Sequence, residues 1–146
     1  MTIRTETITT SEQREQGLQI RKEVFVQEQN VPLELEVDEH EETATHVVAY
    51  DEDGTPVATG RIREYAPGVG KLERIAVSKQ ARTGGYGRAV MDALEEIGRR
   101  ELGFRKFVLE AQIHAQGFYE KLGYVNISPE PFLEAGIWHV KMEKEA

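Results

Sequence analysis

The chain has 146 residues, a formal net charge of −8 and no cysteine; its length suits one domain with one sizeable core, so we expect residues 1–146 to form a single domain. The lack of cysteine excludes disulfides, thiolate metal sites and a cysteine nucleophile, and the excess of acids argues against a nucleic-acid partner, since phosphate binding needs a basic face. No apolar run approaches the ~20 residues that cross a bilayer, and the start MTIRTETITTSEQREQG lacks a signal-peptide core, so we expect a cytoplasmic protein without a membrane partner.

The first half of the chain predicts a strand, a helix and a hairpin. β-branched residues over 3–9 predict the strand, and Thr10 with Gln13 has the spacing of a capping box, which predicts a helix start. The segment 28–42 carries seven acidic residues and no Lys or Arg. Two alternating segments, 45–50 and 56–64, flank the turn DEDG and predict the hairpin.

The second half alternates strands with helices. The predicted elements are a strand at 71–77, a helix from a glycine-rich turn to about 102, a strand at 106–111, a short helix at 115–122, and closing strands at 124–127 and 136–142. In the longer helix Val90, Leu94 and Ile97 form the expected buried stripe. Strands before and between helices, with an early hairpin, predict a mixed-sheet α/β domain.

The stretch SKQARTGGYGRAV, which begins at Ser78, enters the longer helix through three glycines flanked by arginines. Glycine lets the backbone approach a ligand closely, and a helix N-terminus offers unpaired amides with a partial positive charge. Together these features predict an anion site that is best suited to phosphate.

Two familiar phosphate motifs fit this turn poorly. A P-loop requires Gly-Lys-Ser/Thr, whereas Arg88 and Ala89 follow the last glycine. A dinucleotide fingerprint begins directly after its strand, whereas six residues separate Val77 from Gly84. Because Glu110 at the end of a later strand imitates the ribose-binding acid, a dinucleotide-binding domain stays an alternative.

A third pattern fits the turn better. Residues 82–87 (RTGGYG) match R/Q-x-x-G-x-G/A and resemble the acetyl-CoA pyrophosphate loop of the GCN5-related N-acetyltransferases, or GNAT superfamily. FYEKLGY resembles the second signature of the family, and RKEVFVQEQNVP and FLEAGIWHVKM resemble a small bacterial branch of unassigned substrate. The resemblance covers essentially the whole chain and implies a mixed, mostly antiparallel central sheet flanked by helices, with a splayed cofactor cleft. In one departure, Gly84 stands where relatives often have a basic residue, whose role Arg88 could take.

The resemblance implies acyl transfer from acetyl-CoA to a primary amine. No ligand spacing in the sequence supports a metal site. Amides of the turn would bind the pyrophosphate, and the preceding strand would pair with the pantetheine arm and offer an N–H to the thioester oxyanion. The cofactor-binding residues so implied are Ile75, Ala76 and Val77 in the strand and Arg82, Thr83, Gly84, Gly85, Tyr86, Gly87 and Arg88 in the turn.

Tyr119 occupies the position of the family tyrosine near the cofactor thiol. Thiols titrate near ~8.5 and tyrosine near ~10, so its hydroxyl could return a proton to departing CoA; the alternative is a core aromatic. Glu73 is the candidate base, because alternation puts Glu73, Ile75 and Val77 on one strand face; it could instead pair with an arginine of a neighbouring strand. The other candidate bases are Glu110, His46, His114 and His139.

The acidic segment VPLELEVDEHEE is either a solvated loop or a lid that attracts a cationic amine. Arg21, Glu28, Gln29 and Glu110 are the candidates to line an acceptor pocket. The acceptor stays open among a small metabolite, a polyamine, an aminoglycoside and a protein amino group.

The leading hypothesis is an N-acetyltransferase that acts by direct transfer in a ternary complex, because the chain has no cysteine to form an acyl-enzyme. The alternative from another class is a non-catalytic acyl-CoA sensor that keeps every cofactor feature. The family also suggests a homodimer, which is the commonest closed assembly.

Overall fold

The computed structural model describes residues 3–146. Its strands are β1 (Arg4–Thr7), β2 (Thr45–Tyr50), β3 (Pro56–Ala66), β4 (Val69–Val77), β5 (Lys106–Gln112), β6 (Val125–Asn126), β7 (Phe132–Glu134) and β8 (Ile137–Glu145). Its α-helices are α1 (Ser11–Arg21), α2 (Leu33–Glu36), α3 (Tyr86–Arg100) and α4 (Gln116–Lys121). A π-helical segment, Lys22–Glu28, extends α1, and 3₁₀ turns occupy Lys79–Ala81 and Ile113–Ala115.

All eight strands belong to one sheet. Their order is β1-β2-β3-β4-β5-β8-β6, with β7 paired to β8. Every pair is antiparallel except β4 with β5, which is parallel. The predicted mixed, mostly antiparallel sheet flanked by helices is therefore confirmed.

Most predicted elements are present, with shifted ends. Thr10 and Gln13 form the predicted capping box, in which the Gln13 amide donates to Thr10 Oγ1 at 3.1 Å and the Thr10 amide donates to Gln13 Oε1 at 3.0 Å. The short strand β7 was not predicted, because three residues are too few to show alternation.

The core lies on both faces of the sheet. Under α3, the predicted stripe Val90, Leu94 and Ile97 is buried with Phe107 and Met142. Under α1, a second cluster joins Ile20, Val24, Val48, Tyr50 and Ala76. We call this second side of the sheet the α1 face, because it also carries the polar groups described below.

The sheet splays open between its two parallel strands. Residues 69–71 of β4 pair with residues 106–108 of β5. In the part of the chain that the structure describes, no backbone pairing joins β4 to β5 beyond this point. The unpaired stretches are residues 72–77 of β4 and 109–112 of β5. The result is the splayed cleft that the family resemblance implies, with Lys71 at its apex.

A β-bulge interrupts β4 at Arg74, whose φ is +59°. Thr59 pairs with Ala76 and Arg61 pairs with Glu73, so β4 holds one more residue than β3 across this interval. Glu73 therefore lies on the α1 face beside Arg61, whereas Ile75 packs against the core under α3. The expectation that Glu73, Ile75 and Val77 share a face is wrong, because the extra residue reverses the alternation.

Candidate active site

The glycine turn leaves the N-terminus of α3 open. Gly85 is the N-cap residue, with φ of +81° and no side-chain cap hydrogen bond. The first helical amides, those of Tyr86, Gly87 and Arg88, have no partner within an α-helix by its geometry. The capping box closes the start of α1, whereas nothing of this kind closes α3. The turn therefore keeps the free donors that an anion requires.

Sterics explain Gly84, and the neighbours of Gly87 show what meets the turn. A Cβ on Gly84 would lie 2.4 Å from Cε2 of Tyr86, so the tyrosine ring occupies the space that a basic residue would need. At Gly87 a Cβ would lie 3.4 Å from both Phe118 Cζ and Val77 Cγ2, which is ordinary contact. Gly87 therefore brings the turn, the end of β4 and α4 together at one point.

The two arginines of the turn differ in their partners. Arg82 Nε donates to the Val77 carbonyl at 3.1 Å, and its Nη2 lies 2.6 Å from a carboxylate oxygen of Glu28. Glu28, a candidate acceptor residue, thus contacts the predicted cofactor turn. Arg88 is largely exposed and lies 3.8 Å from Asp92. Thr83, between Arg82 and Gly84, is exposed.

Tyr119 projects from α4 against the core under α3. Its ring makes edge contacts with Phe118 and Tyr124, at centroid distances of 5.0 Å and 6.1 Å. Burial raises the pKa of Tyr119 to about 12. Within residues 3–146 no hydrogen-bond partner meets its hydroxyl and no fully buried side-chain polar atom lacks a partner, so the hydroxyl is not completely buried. The side chain therefore holds a neutral, free O–H donor.

Glu73 is surrounded by cations. Arg61 Nη2 and Arg63 Nε each lie 2.9 Å from Glu73 Oε1, and Lys71 Nζ lies 3.4 Å from Oε2. Burial alone would raise the pKa of Glu73, but the Arg63 hydrogen bond and the charges of Arg61 and Lys71 outweigh it and hold the pKa below its usual value. As placed, Glu73 is a poor proton acceptor.

The acidic segment is largely used inside the protein. Arg21, predicted to line an acceptor pocket, is buried and donates to Glu36 and Glu41, both at 2.7 Å. Arg61, fully buried, contacts Asp38 at 2.8 Å. Arg21 therefore fastens α2 to α1, because a buried guanidinium requires carboxylate partners. Of the seven acids, Glu28, Glu36, Asp38 and Glu41 pair with arginines.

Glu110 lies on the splayed half of β5, across the cleft from β4. Lys71 Nζ is 3.1 Å from its Oε1. The neighbouring Glu110 carboxyl, together with burial, raises the pKa of Glu134 of β7 to about 7. Burial pushes the pKa of Glu110 up, but the neighbouring Glu134 carboxyl and Lys71 outweigh burial and lower it. The proton of Glu134 is therefore lost as pH rises through about 7.

Gln29 joins the same wall of the cleft. The side-chain amides of Gln29 and Gln112 exchange hydrogen bonds of 2.9 Å and 3.4 Å, which link the end of the π-helical segment to the end of β5. Of the predicted acceptor residues, the structure thus brings Gln29 and Glu110 together on the α1 face, and it separates Arg21 and Glu28 from them.

The three candidate histidines differ in burial and in hydrogen bonding. His46 Nε2 lies 2.8 Å from the Glu41 carbonyl, and burial lowers its pKa. His114 is exposed in the 3₁₀ turn before α4. His139 is half-buried on β8, opposite Gln112, with Nδ1 2.7 Å from the Ile137 carbonyl.

Lys71, Gln112 and Glu134 were not singled out from the sequence. Their roles depend on which strands pair and where they splay, and no local motif reports that. The alternation of β5 could have identified Gln112, since it lies two residues beyond Glu110 on the same face.

Two further properties concern membranes and metals. In the described part of the chain, no helix combines the length and apolar character needed to cross a membrane. Over residues 3–146, no three His, Asp or Glu side chains gather as metal ligands.

Comparison with known proteins identifies the family. The model of the acetyltransferase (GNAT) domain matches residues 7–146. The uncharacterized N-acetyltransferase YjcF of Bacillus subtilis is 46% identical over 134 residues, which cover 92% of this chain and 94% of YjcF. The chain therefore belongs to the GNAT acetyltransferase family, as its motifs predicted, and an acetyltransferase role follows from that membership.

Solved structures agree with this assignment. An acyl-CoA N-acyltransferase from Pseudomonas aeruginosa superposes with a TM-score of 0.84 at 28% identity, covering 98% of this chain and 99% of that one. Escherichia coli ElaA gives a TM-score of 0.84 at 26% identity, covering 99% and 100% of the two chains.

Proposed function

We propose that this protein transfers an acetyl group from acetyl-CoA to a primary amine, directly and within a ternary complex. The observation that carries the proposal is the convergence at Gly87, where the uncapped turn meets Val77 at the end of β4 and Phe118 beside Tyr119. One elongated thioester could then contact three groups: the amides that donate hydrogen bonds to its phosphates, the unpaired strand edge and the free hydroxyl of Tyr119.

The donor residues fit acetyl-CoA in their chemistry. Amides from Arg82 to Gly87 would bind the pyrophosphate, and Arg82 would exchange Glu28 for a phosphate oxygen. The edge formed by Ile75, Ala76 and Val77 offers the backbone groups that a peptide-like pantetheine arm requires. Acetyl-CoA supplies the activated acetyl group, and Tyr119 would donate its proton to the departing thiolate.

The acceptor is a cationic amine on this proposal. Glu110 and Glu134 line the α1 face of the cleft, and the net charge of −8 favours the approach of a cation. Glu34, Glu39 and Glu42 of the acidic segment add exposed charge outside the arginine pairs. A homodimer in the cytoplasm stays a prediction.

Initial rates with acetyl-CoA and a panel of amines test this function. Direct transfer predicts intersecting lines when both substrates are varied, and no acetylated protein by mass spectrometry before the acceptor is added. Parallel lines or a prior acetyl-protein would contradict direct transfer. Tight binding of acetyl-CoA without release of CoA to any amine would favour the sensor instead.

A further inference from the structure

The proposed transfer requires a group that takes a proton from the amine, because a primary amine is mostly protonated at neutral pH. Glu73, the candidate on β4, is held by Arg61, Arg63 and Lys71. We infer that Nε2 of His139 on β8 is the proton acceptor. This inference rests on the proposed function and assigns the missing base to a strand on the opposite side of the cleft.

The local hydrogen bond fixes the tautomer of His139. A carbonyl oxygen only accepts, so Nδ1, 2.7 Å from the Ile137 carbonyl, must carry the hydrogen. The lone pair of the neutral ring is then at Nε2. Along residues 3–146 no partner meets Nε2 and no buried side-chain nitrogen is left unpaired, so Nε2 is open to solvent or substrate.

Packing fixes the plane of the ring. Phe132, the cross-strand partner of His139, stacks on it with a centroid distance of 5.9 Å and an angle of 21° between the rings. The hydrogen bond at Nδ1 and the stacked Phe132 ring together hold the imidazole in one orientation, so Nε2 points in one direction. Such a preset orientation is what a general base requires.

The position of His139 on the sheet suits an acceptor site. His139 pairs with Gln112 at the splayed end of β5, and Gln112 lies two residues beyond Glu110 on the same strand. Alternation puts His139, Gln112 and Glu110 on the α1 face, while Ala111 and Val140 point into the core. The amine and the base therefore meet on the side of the sheet where the acidic pair lies.

The charged groups around His139 carry both signs. Glu110 of β5 and Glu134 of β7 contribute negative charge, and Lys141 of β8 and Lys71 of β4 contribute positive charge. Lys71 is bound to Glu110, and Lys141 lies against the ring of Tyr65, 3.2 Å from its hydroxyl. A carboxylate beside the imidazole stabilises both the incoming ammonium and the imidazolium that forms.

The reaction balances with His139 as acceptor. An ammonium gives one proton to Nε2, and the freed nitrogen lone pair forms the C–N bond at the thioester carbonyl. The C–S bond then breaks, and the sulfur takes a proton from Tyr119. The nitrogen loses its second proton, which restores Tyr119 through solvent, and the imidazolium releases the first. One ammonium and acetyl-CoA thus give amide, CoA thiol and one proton.

The pH profile of kcat/KM for the amine tests the inference. A general base must be unprotonated to act, so in the wild type we expect an acidic limb over which kcat/KM falls as pH is lowered. His139→Gln should lose this limb and lower kcat/KM by about a hundredfold, with acetyl-CoA affinity unchanged. His139→Asn can keep a donor near the Ile137 carbonyl, and it should lose as much activity as His139→Gln. A smaller loss in His139→Asn would instead indicate a purely structural role for His139. His40→Gln, on the outer loop, is the matched control and should behave as the wild type.

The outcomes separate the two proposals. Amine transfer with an unchanged limb in His139→Gln, or loss of the limb in Glu134→Gln but not in His139→Gln, would overturn the assignment of His139 alone. Binding of acetyl-CoA by the wild type with no transfer to any amine would overturn the proposed function and the inference with it.

Discussion

Tyr119 shows how burial changes the chemistry of one side chain. Its pKa of about 12 lies above the ~8.5 of a free thiol, so proton transfer to a solvated thiolate would be uphill by about 5 kcal/mol. A thiolate in the same cleft would be desolvated too, which raises its own pKa and narrows the gap. The hydroxyl therefore suits a donor that acts only as the C–S bond breaks.

Tyr119→Phe should lower kcat by about a hundredfold and leave acetyl-CoA affinity unchanged, because the lost interaction forms in the transition state. Release of CoA thiol, followed with a thiol reagent in a chain without cysteine, measures this directly. Tyr124→Phe is the control: its hydroxyl donates to Glu95 at 2.7 Å in the core, so it should lower stability and spare kcat. A kcat within twofold of wild type in Tyr119→Phe would remove the hydroxyl from the mechanism.

Candidate residues can be located from the sequence where a motif is local. Short sequence patterns single out Tyr119 and the glycine turn, whose catalytic and binding roles stay predictions. The sequence left Glu73 open between a base and an ion pair, because the choice depends on which side chains of β3 lie opposite. The structure gives it two arginine partners, Arg61 and Arg63.

At the scale of elements, the site depends on irregular backbone. The bulge at Arg74 and the end of pairing at Lys71 decide which side chains face the cleft. Strand periodicity assumes an unbroken alternation, so it predicts β4 but puts Glu73 on one face with Ile75 and Val77, from which the bulge separates it. A bulge of a non-glycine residue leaves no compositional signal.

The N-terminus of α3 offers a prediction in which stability and binding move in opposite directions. Gly87 lies in the first turn, and a Cβ there would meet its neighbours at ordinary contact distance without a clash. Gly87→Asp should stabilise the free protein by up to about 1 kcal/mol, because glycine is a poor helix former and an acid favours a helix start. It should also weaken acetyl-CoA binding more than tenfold, since the carboxylate repels the pyrophosphate.

Thermal unfolding measures the change in stability, and calorimetric titration measures the change in acetyl-CoA affinity, both on the same protein preparation. Gly87→Asn, of equal size and without charge, separates repulsion from crowding and should bind acetyl-CoA with intermediate affinity. Wild-type affinity in a folded Gly87→Asp protein would contradict the phosphate role of the turn.

At the scale of the molecule, buried ion pairs fasten the segment 33–41 to the sheet. Arg61 of β3 contacts Asp38 and Glu41 of that segment and Glu73 of β4. The sequence suggested a solvated loop or a lid, because charge runs are usually exposed. Burial of an arginine at the centre of a sheet was not predictable, since its three carboxylate partners come from distant parts of the chain.

This network makes stability depend on acid pH. In Asp38, Glu41 and Glu73 burial raises the pKa, but bound arginines lower it more, so each pKa is below that of the unfolded chain. Stability from these groups is therefore fully present above about pH 4.5 and is lost as pH falls through the folded pKa values. Glu134 has the opposite sign: its folded pKa of about 7 means that its small contribution is lost as pH rises towards 7. We expect maximal stability between about pH 4.5 and 7.

Glu73→Gln isolates one member of the network. At pH 7 it should lower the free energy of unfolding by about 2 kcal/mol, because a charged acceptor of several hydrogen bonds is lost. As pH falls below 4.5, the stability of this variant should decline less steeply than that of the wild type, since the introduced amide has no proton to take up on unfolding. Glu39→Gln, at an exposed acid 3.4 Å from His40, should keep the wild-type slope. Urea denaturation at a series of pH values gives both quantities, and equal acid slopes in Glu73→Gln and wild type would show that the arginine contacts do not hold the pKa of Glu73 down.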